Sequence, residues 1–195
     1  DVPALPAGGN LGHGHPARSI KRALKLGLRS IEHCTIMDQE CVDLFLEKDA
    51  WMIPTMAIIE SLHQRGPAAG LPPDSQAKLT EVRPTSMTSL EMAYKAGVNL
   101  AYGTDLLGML HEDQSTEFRI RAEIMKPEDI FRQATTLAAE LFRMEGEVGT
   151  IAPGARADLL IVDGNPLEDL SLMEGQGQHM MLIMKDGKAY KNELN

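Results

Sequence analysis

Short apolar runs that alternate with helix-patterned segments constrain this chain more than any other feature. The runs Arg29–His33, Ala50–Met56 and Val98–Tyr102 read as buried strands. Ahead of the first, Ile20, Ala23, Leu24 and Leu28 recur at helical spacing from Pro16 onward, with Gly27 as the stop. Between the first and second, Asp38 is a candidate N-cap for an amphipathic helix carrying Cys41, Leu44, Phe45 and Lys48. Between the second and third, the Pro- and Gly-rich stretch Ser61–Asp74 reads as an irregular loop. A helix follows it, broken or restarted at Pro84, and ends at Gly97. Strands separated by helices in this way run parallel and are joined by right-handed crossovers, which is an α/β architecture.

The chain has 195 residues, short of the roughly 250 of a complete eight-fold barrel. Helices are expected over Thr116–Met125 and Pro127–Met144, with Thr136 as a cap for a restart in the second. Beyond Gly146 the pattern changes to short strands divided by turns at Pro153, Asp163 and Asp186. The expected division is therefore 1–145, a strand-and-helix unit, and 146–195, a small β unit. The Pro-, Ala- and Gly-rich opening, Asp1–Asn10, reads as a loop or frayed arm.

With 28 acidic against 19 basic residues the formal charge is -9, which argues against nucleic acid or an anionic membrane as partner. No stretch approaches the roughly 18 consecutive apolar residues of a spanning helix. Two cysteines, Cys34 and Cys41, make no disulfide framework and fit no zinc-ribbon spacing, so a reducing cytoplasm is the expected setting.

Active residues in parallel β/α folds sit where strands end, and three such ends carry metal-type ligands: His13 with His15 in LGHGH, His33 in SIEHC, and Asp105 in YGTD. Imidazole and carboxylate suit a divalent ion, Zn first among them, with an open position for water. Each also has a plainer reading: an exposed loop pair, a hydrogen-bonded core histidine, a turn-capping aspartate. Their joint placement at successive strand ends favours the site. His111 is a further loop candidate for substrate or metal. Arg119 and Arg121 could bind a substrate carboxylate, but pairing with Glu117 and Glu123 on a helix surface is the preferred reading. Met180, Met181 and Met184 read as core gap-fillers, and His63 and His179 as surface residues.

The segments GHGHPARSIKRALKLGLRSIEHCT, WMIPTM, AGVNLAYGTDLLGMLH, EFRIRAE, QATTLAAEL and GTIAPGARADLLIVDGNPL together resemble the metal-dependent amidohydrolases, in particular their Xaa-Pro dipeptidase-like and imidazolonepropionase-like subgroup. The resemblance covers about Gly12 to Tyr190. It implies the C-terminal half of a TIM-like (β/α)8 barrel with part of a small β-sandwich. It puts His13 at the end of the fifth strand, His33 at the end of the sixth and Asp105 at the end of the eighth, the first two as metal ligands and Asp105 as general base and ligand. In the family, metal-activated water attacks an amide carbonyl and the aspartate passes the proton to the leaving nitrogen. The family's first-strand HxH pair and fourth-strand lysine correspond to nothing in Asp1–Leu11. Relatives usually carry a tyrosine where His15 stands; histidine there could donate the same hydrogen bond or act as an extra metal ligand.

The expected function is a metal-dependent hydrolase of C–N bonds in dipeptides or N-acyl amino acids. One competing reading is a half-barrel without autonomous catalysis that self-associates as a homo-oligomer or complements an N-terminal half, because exposed strand edges such as those near Trp51–Met56 demand cover. Another is a promiscuous esterase with a reduced metal site.

Overall fold

A computed structural model describes residues 11–68 and 70–194; the opening read as a loop lies outside them. The first half of the chain builds three β/α steps and a fourth strand: β1 (Leu11–Pro16), α1 (Ala17–Lys25), β2 (Ser30–Ile36), α2 (Gln39–Glu47), β3 (Trp51–Ile53), α3 (Met56–Arg65), α4 (Pro73–Ala96) and β4 (Asn99–Leu100). The strands form one parallel sheet in the order β1-β2-β3-β4, with Leu11, Ser30, Trp51 and Asn99 in register across it. Sequence order equals spatial order because each strand returns through a helix to the next place.

α1, α2 and α4 form where the pattern placed helices, and their buried residues cover the sheet. Ile20 and Leu24 of α1, Val42 and Phe45 of α2, and Leu90 and Ala93 of α4 are buried together with Ile31, Trp51, Met52 and Leu100 of the strands. Asp38 caps α2, its Oδ1 accepting from the Cys41 N–H at 3.0 Å. Gly14 sits where α1 crosses β1, and a Cβ there would stand 3.0 Å from Ile31 Cγ2 and 3.2 Å from Ile20 Cγ1. The absent side chain is what lets helix and strand approach. Lys21 joins α1 to α2 through Asp38 and Glu40, at 2.9 and 2.8 Å.

Three expectations are corrected. The second apolar run is strand only over Trp51–Ile53, because Pro54 has no N–H to continue the ladder, and α3 starts at Met56. Residues 61–65, expected in a loop, are the end of α3; the loop is confined to 66–72. The helix containing Pro84 neither breaks nor restarts there but runs 24 residues from Pro73 to Ala96. Hydroxyls of Thr85, Ser86 and Thr88 donate to the carbonyls of Glu81, Val82 and Pro84 at 3.0–3.2 Å, supplying polar partners around the disrupted turn. Trp51, Met52 and Ile53 are also 3%, 1% and 6% exposed, and β3 lies between β2 and β4, so it presents no open edge. Among the described residues, no helix is long and apolar enough to cross a membrane.

Packing divides the chain into two compact units, Asp1–Leu110 and His111–Asn195. The second holds α5 (Thr116–Ala122), α6 (Pro127–Ala134), α7 (Thr136–Phe142) and an antiparallel sheet β5-β6-β7 formed by Leu159–Val162, Met180–Lys185 and Lys188–Asn192. The break between α6 and α7 falls at Thr135, one residue before the expected cap. Asp186 and Gly187, with φ of 51° and 76°, make the tight turn between β6 and β7. Of the three methionines read as core gap-fillers Met180 is buried, while Met181 and Met184 are half-buried.

Candidate active site

The site begins with alternation along β1. His13 and His15, two residues apart, share one face, while Gly12 and Gly14 fall on the other. In the parallel register His13 lies beside Glu32 and Gly14 beside His33, so regular alternation would send the His13 and His33 side chains to opposite faces. Regular alternation fails here. His33 and Cys34 adopt φ of 71° and 51°, and the register slips between Gly14 and Pro16. This bulge re-aims His33, whose Nε2 stands 2.8 Å from His13 Nδ1.

Two threonines hold the ring cluster from behind. Thr55, just past β3, places Oγ1 2.8 Å from His33 Nδ1. Thr35 places Oγ1 2.8 Å from His15 Nδ1. Both threonines are buried, at 5% and 3% exposure. The His15 and His33 rings stack with centroids 4.6 Å apart and planes 4° from parallel. Asp105, past β4, also has a left-handed backbone, φ 54°, and Gly103 before it packs so closely on β3 that a Cβ would meet Ile53 Cγ2 at 2.7 Å. Left-handed backbone thus occurs at two of the polar residues that meet here, His33 and Asp105.

These side chains line two adjoining cavities. One, of about 260 Å³, is bounded by Leu11, His13, Glu32, His33, Thr55, Gly103, Thr104 and Asp105. The other, of about 360 Å³, shares His33, Thr55 and Asp105 with it and adds His15, Thr35 and a wall of aliphatic residues from α3 and α4. Burial holds the His33 imidazole below its ordinary pKa, the charge of His15 adds to this, and Asp105 opposes it. Burial raises the Glu32 carboxyl, with Asp105 adding to the rise and His13 opposing it.

The structure thus brings His13, His15, His33 and Asp105 to one region. His111 is exposed in the 3-10 turn Gly108–Asp113, at the start of the second unit. Arg119 and Arg121 belong to the second unit; the expected Glu117 pair forms for Arg121 but is buried rather than on the surface, and Arg119 takes another partner. Arg121 is fully buried, with Nε 2.7 Å from Glu117 Oε1 and a further bond to Gln133. Arg119 pairs with Glu174 at 3.1 Å rather than with Glu123. His63 is exposed and His179 half-buried beside Gln178. The sequence reading missed Glu32, Thr35 and Thr55 as site residues; the signal available was the polar residues flanking His33 within SIEHCTI and the threonine that follows WMIP.

The donor set suits a divalent ion in part. Two imidazole nitrogens face each other at hydrogen-bond distance, and both could offer lone pairs to one ion in place of the shared proton once the rings part. Among the described residues no group of three His, Cys, Asp or Glu side chains closes around one point.

A parallel β/α sheet with its polar residues gathered at the strand ends is the arrangement of a barrel enzyme. Residues 11–189 match the amidohydrolase family, and the chain belongs to it. This family is generally metal-dependent. A solved prolidase, complexed with N-methylphosphonate-L-proline, superposes with a TM-score of 0.88 at 40% identity over 93% of this chain and 45% of its own. Ochratoxinase of Aspergillus niger is 28% identical over 92% of the chain and 37% of its own length. Imidazolonepropionase of Salinispora tropica is 27% identical over 76% of the chain and 34% of its own length. The chain thus spans less than half the length of these relatives, and its fold is part of the amidohydrolase barrel.

Proposed function

We propose that the chain carries the C-terminal half of the active site of a metal-dependent hydrolase that cleaves C–N bonds in dipeptides or N-acyl amino acids. The observation that carries the reading is the His13–His33 contact opening onto the same cavity as Asp105. His13 and His33 would hold a divalent ion, Zn by ligand type, with His15 as substrate contact or extra ligand and with donors beyond those described here. When bound, the ion supplies Lewis acidity and lowers the pKa of nearby water. Asp105 accepts the proton of the attacking water and delivers it to the leaving nitrogen, as a carboxylate at the cavity edge can. Thr55 keeps the His33 ring oriented. The prolidase complex with a proline-containing phosphonate supports small amides as substrates.

In this reading residues 1–145 belong to the barrel and 146–195 to the sandwich. Cys34 and Cys41, both buried free thiols, support a reducing cytoplasm.

The test is Asp105→Asn. It should lower kcat for an N-acyl amino acid by about 10²- to 10⁴-fold, the usual loss for a general base, with metal content unchanged. His33→Ala should lose metal and rate together. Full activity in Asp105→Asn would overturn the role.

A second reading rests on β1 and β4, which occupy the two edges of the sheet. Strands from a second copy or from a separate N-terminal half would cover them. Light scattering that shows only the 21.4 kDa monomer, with metal bound and turnover intact, would dismiss it.

A further inference from the structure

The larger of the two cavities has a wall that the proposed chemistry does not use. Ile59 and Leu62 of α3, Leu79 and Val82 of α4, and Ile36 at the end of β2 line it, and all but Ile36 are half-buried. Asp105 is the only carboxylate among the described lining residues, and no lysine or arginine joins it. Arg83 and Glu60 pair across α3 and α4 at 2.9 Å, so the two helices that form the wall are held together by an ion pair of their own. The volume of about 360 Å³ is at the lower end of small-ligand pockets, enough for one nonpolar group beside the amide. The polar residues His33, Thr55 and Asp105 are common to both cavities, so a scissile amide held there would put one of its substituents against the aliphatic wall. An anionic group against the aliphatic wall would be stripped of water with no lysine or arginine among the described lining residues to pair with it.

We infer that this cavity is a specificity pocket for an uncharged apolar group adjoining the scissile amide, with Ile59, Leu62, Leu79 and Val82 as its selecting residues. The inference rests on the proposed hydrolase reading for the position of the amide. Substrates are then amides in which one side is aliphatic or aromatic, and those bearing a carboxylate in that place are rejected.

Two probe series test it by binding, on the full chain with methyl-labelled Ile, Leu and Val. The first is acetyl-, butanoyl-, hexanoyl- and adipoylglycine, and the second is N-acetylalanine, N-acetylnorleucine and N-acetylglutamate. In one series the longest neutral member should bind at least about tenfold more tightly than the shortest, because each buried methylene gains several-fold. It should also shift the methyl signals of Ile59, Leu79 and Val82, while the carboxylate-ended member does neither. The series that responds tells which side of the amide enters. Val82→Phe, filling the pocket, should abolish the length preference; Ile59→Ala, a milder change, should extend it to longer chains. Flat affinity in both series, tighter binding of the acidic members, or methyl shifts confined to other residues would overturn the pocket. Length-dependent binding without any hydrolysis would overturn the hydrolase reading and leave the pocket standing, whereas hydrolysis without length dependence would do the reverse.

Discussion

Thr55 illustrates how a single hydroxyl can decide what a histidine offers. Its Oγ1 lies 2.8 Å from His33 Nδ1, and if that nitrogen carries the proton, Nε2 is left with a free lone pair toward His13. Outer partners of this kind typically change metal affinity or activity by about 10- to 100-fold when removed. Thr55→Val should therefore shift the tautomer balance of His33, read from its ring nitrogen chemical shifts, and cut metal affinity by that range; Thr55→Ser should restore both. Unchanged ring shifts in Thr55→Val would show that the hydroxyl only fills space. At the same scale, Arg121 and Glu117 are both fully buried. Removing one partner of such a pair leaves an uncompensated charge, so Arg121→Met should destabilise by about 3–5 kcal/mol in urea unfolding. Glu117→Leu added to it should recover a large part of that loss. Neither residue announced its burial in the sequence, because i,i+4 Glu and Arg on a short helix are ordinarily solvent-facing.

Among the elements, β2, β3, β4 and the two helices with clear apolar stripes were legible, and Asp38 as a cap was readable from type and position; β1 was not, because the two glycines and two histidines of Leu11–Pro16 make no apolar run. The bulge in β2 was not. Nothing in Ile-Glu-His-Cys signals two successive left-handed residues, and it is the bulge that turns His33 toward His13. The extent of α4 was hidden for a different reason. Pro84 reads as a break, yet the tertiary anchor beyond it overrides local propensity. That anchor is Ser89, 1% exposed, whose Oγ donates to the Thr35 carbonyl at 3.1 Å and accepts from the Met37 N–H at 3.0 Å. One hydroxyl thus fastens α4 to the end of β2, beside the threonine that holds His15. Ser89→Ala should leave both backbone groups without this partner and cost roughly 1–3 kcal/mol. Hydrogen exchange at the Met37 amide should speed up more than exchange in α2. A loss under about 0.5 kcal/mol, the range of changes away from such features, would show that water replaces the hydroxyl.

For the whole molecule, the way stability depends on pH counts protons over all carboxylates, and two groups near the sheet act with opposite sign. Hydrogen bonds from Lys21 and from Cys41 lower the Asp38 carboxyl to about 2 from its ordinary 3.8, and Lys21 and Lys25 lower Glu40 in the same direction. A depressed carboxylate contributes stability that is fully present above its unfolded pKa and is lost as pH falls through the folded value. Glu32 behaves inversely, because burial raises its pKa: ionised, it opposes folding, and protonation on acidification relieves that penalty. Lys21→Met removes the main cause of the first effect and leaves Glu32 untouched. Urea midpoints measured between pH 5 and pH 2 at low salt should therefore fall more steeply for the wild type than for Lys21→Met, the two curves converging toward pH 2. Because these charges are exposed, about 1 M salt, with a Debye length of roughly 3 Å, should shrink the difference. Parallel curves at low salt would mean that the Lys21 pairs contribute nothing to folding, and that the acid limb belongs to the other carboxylates.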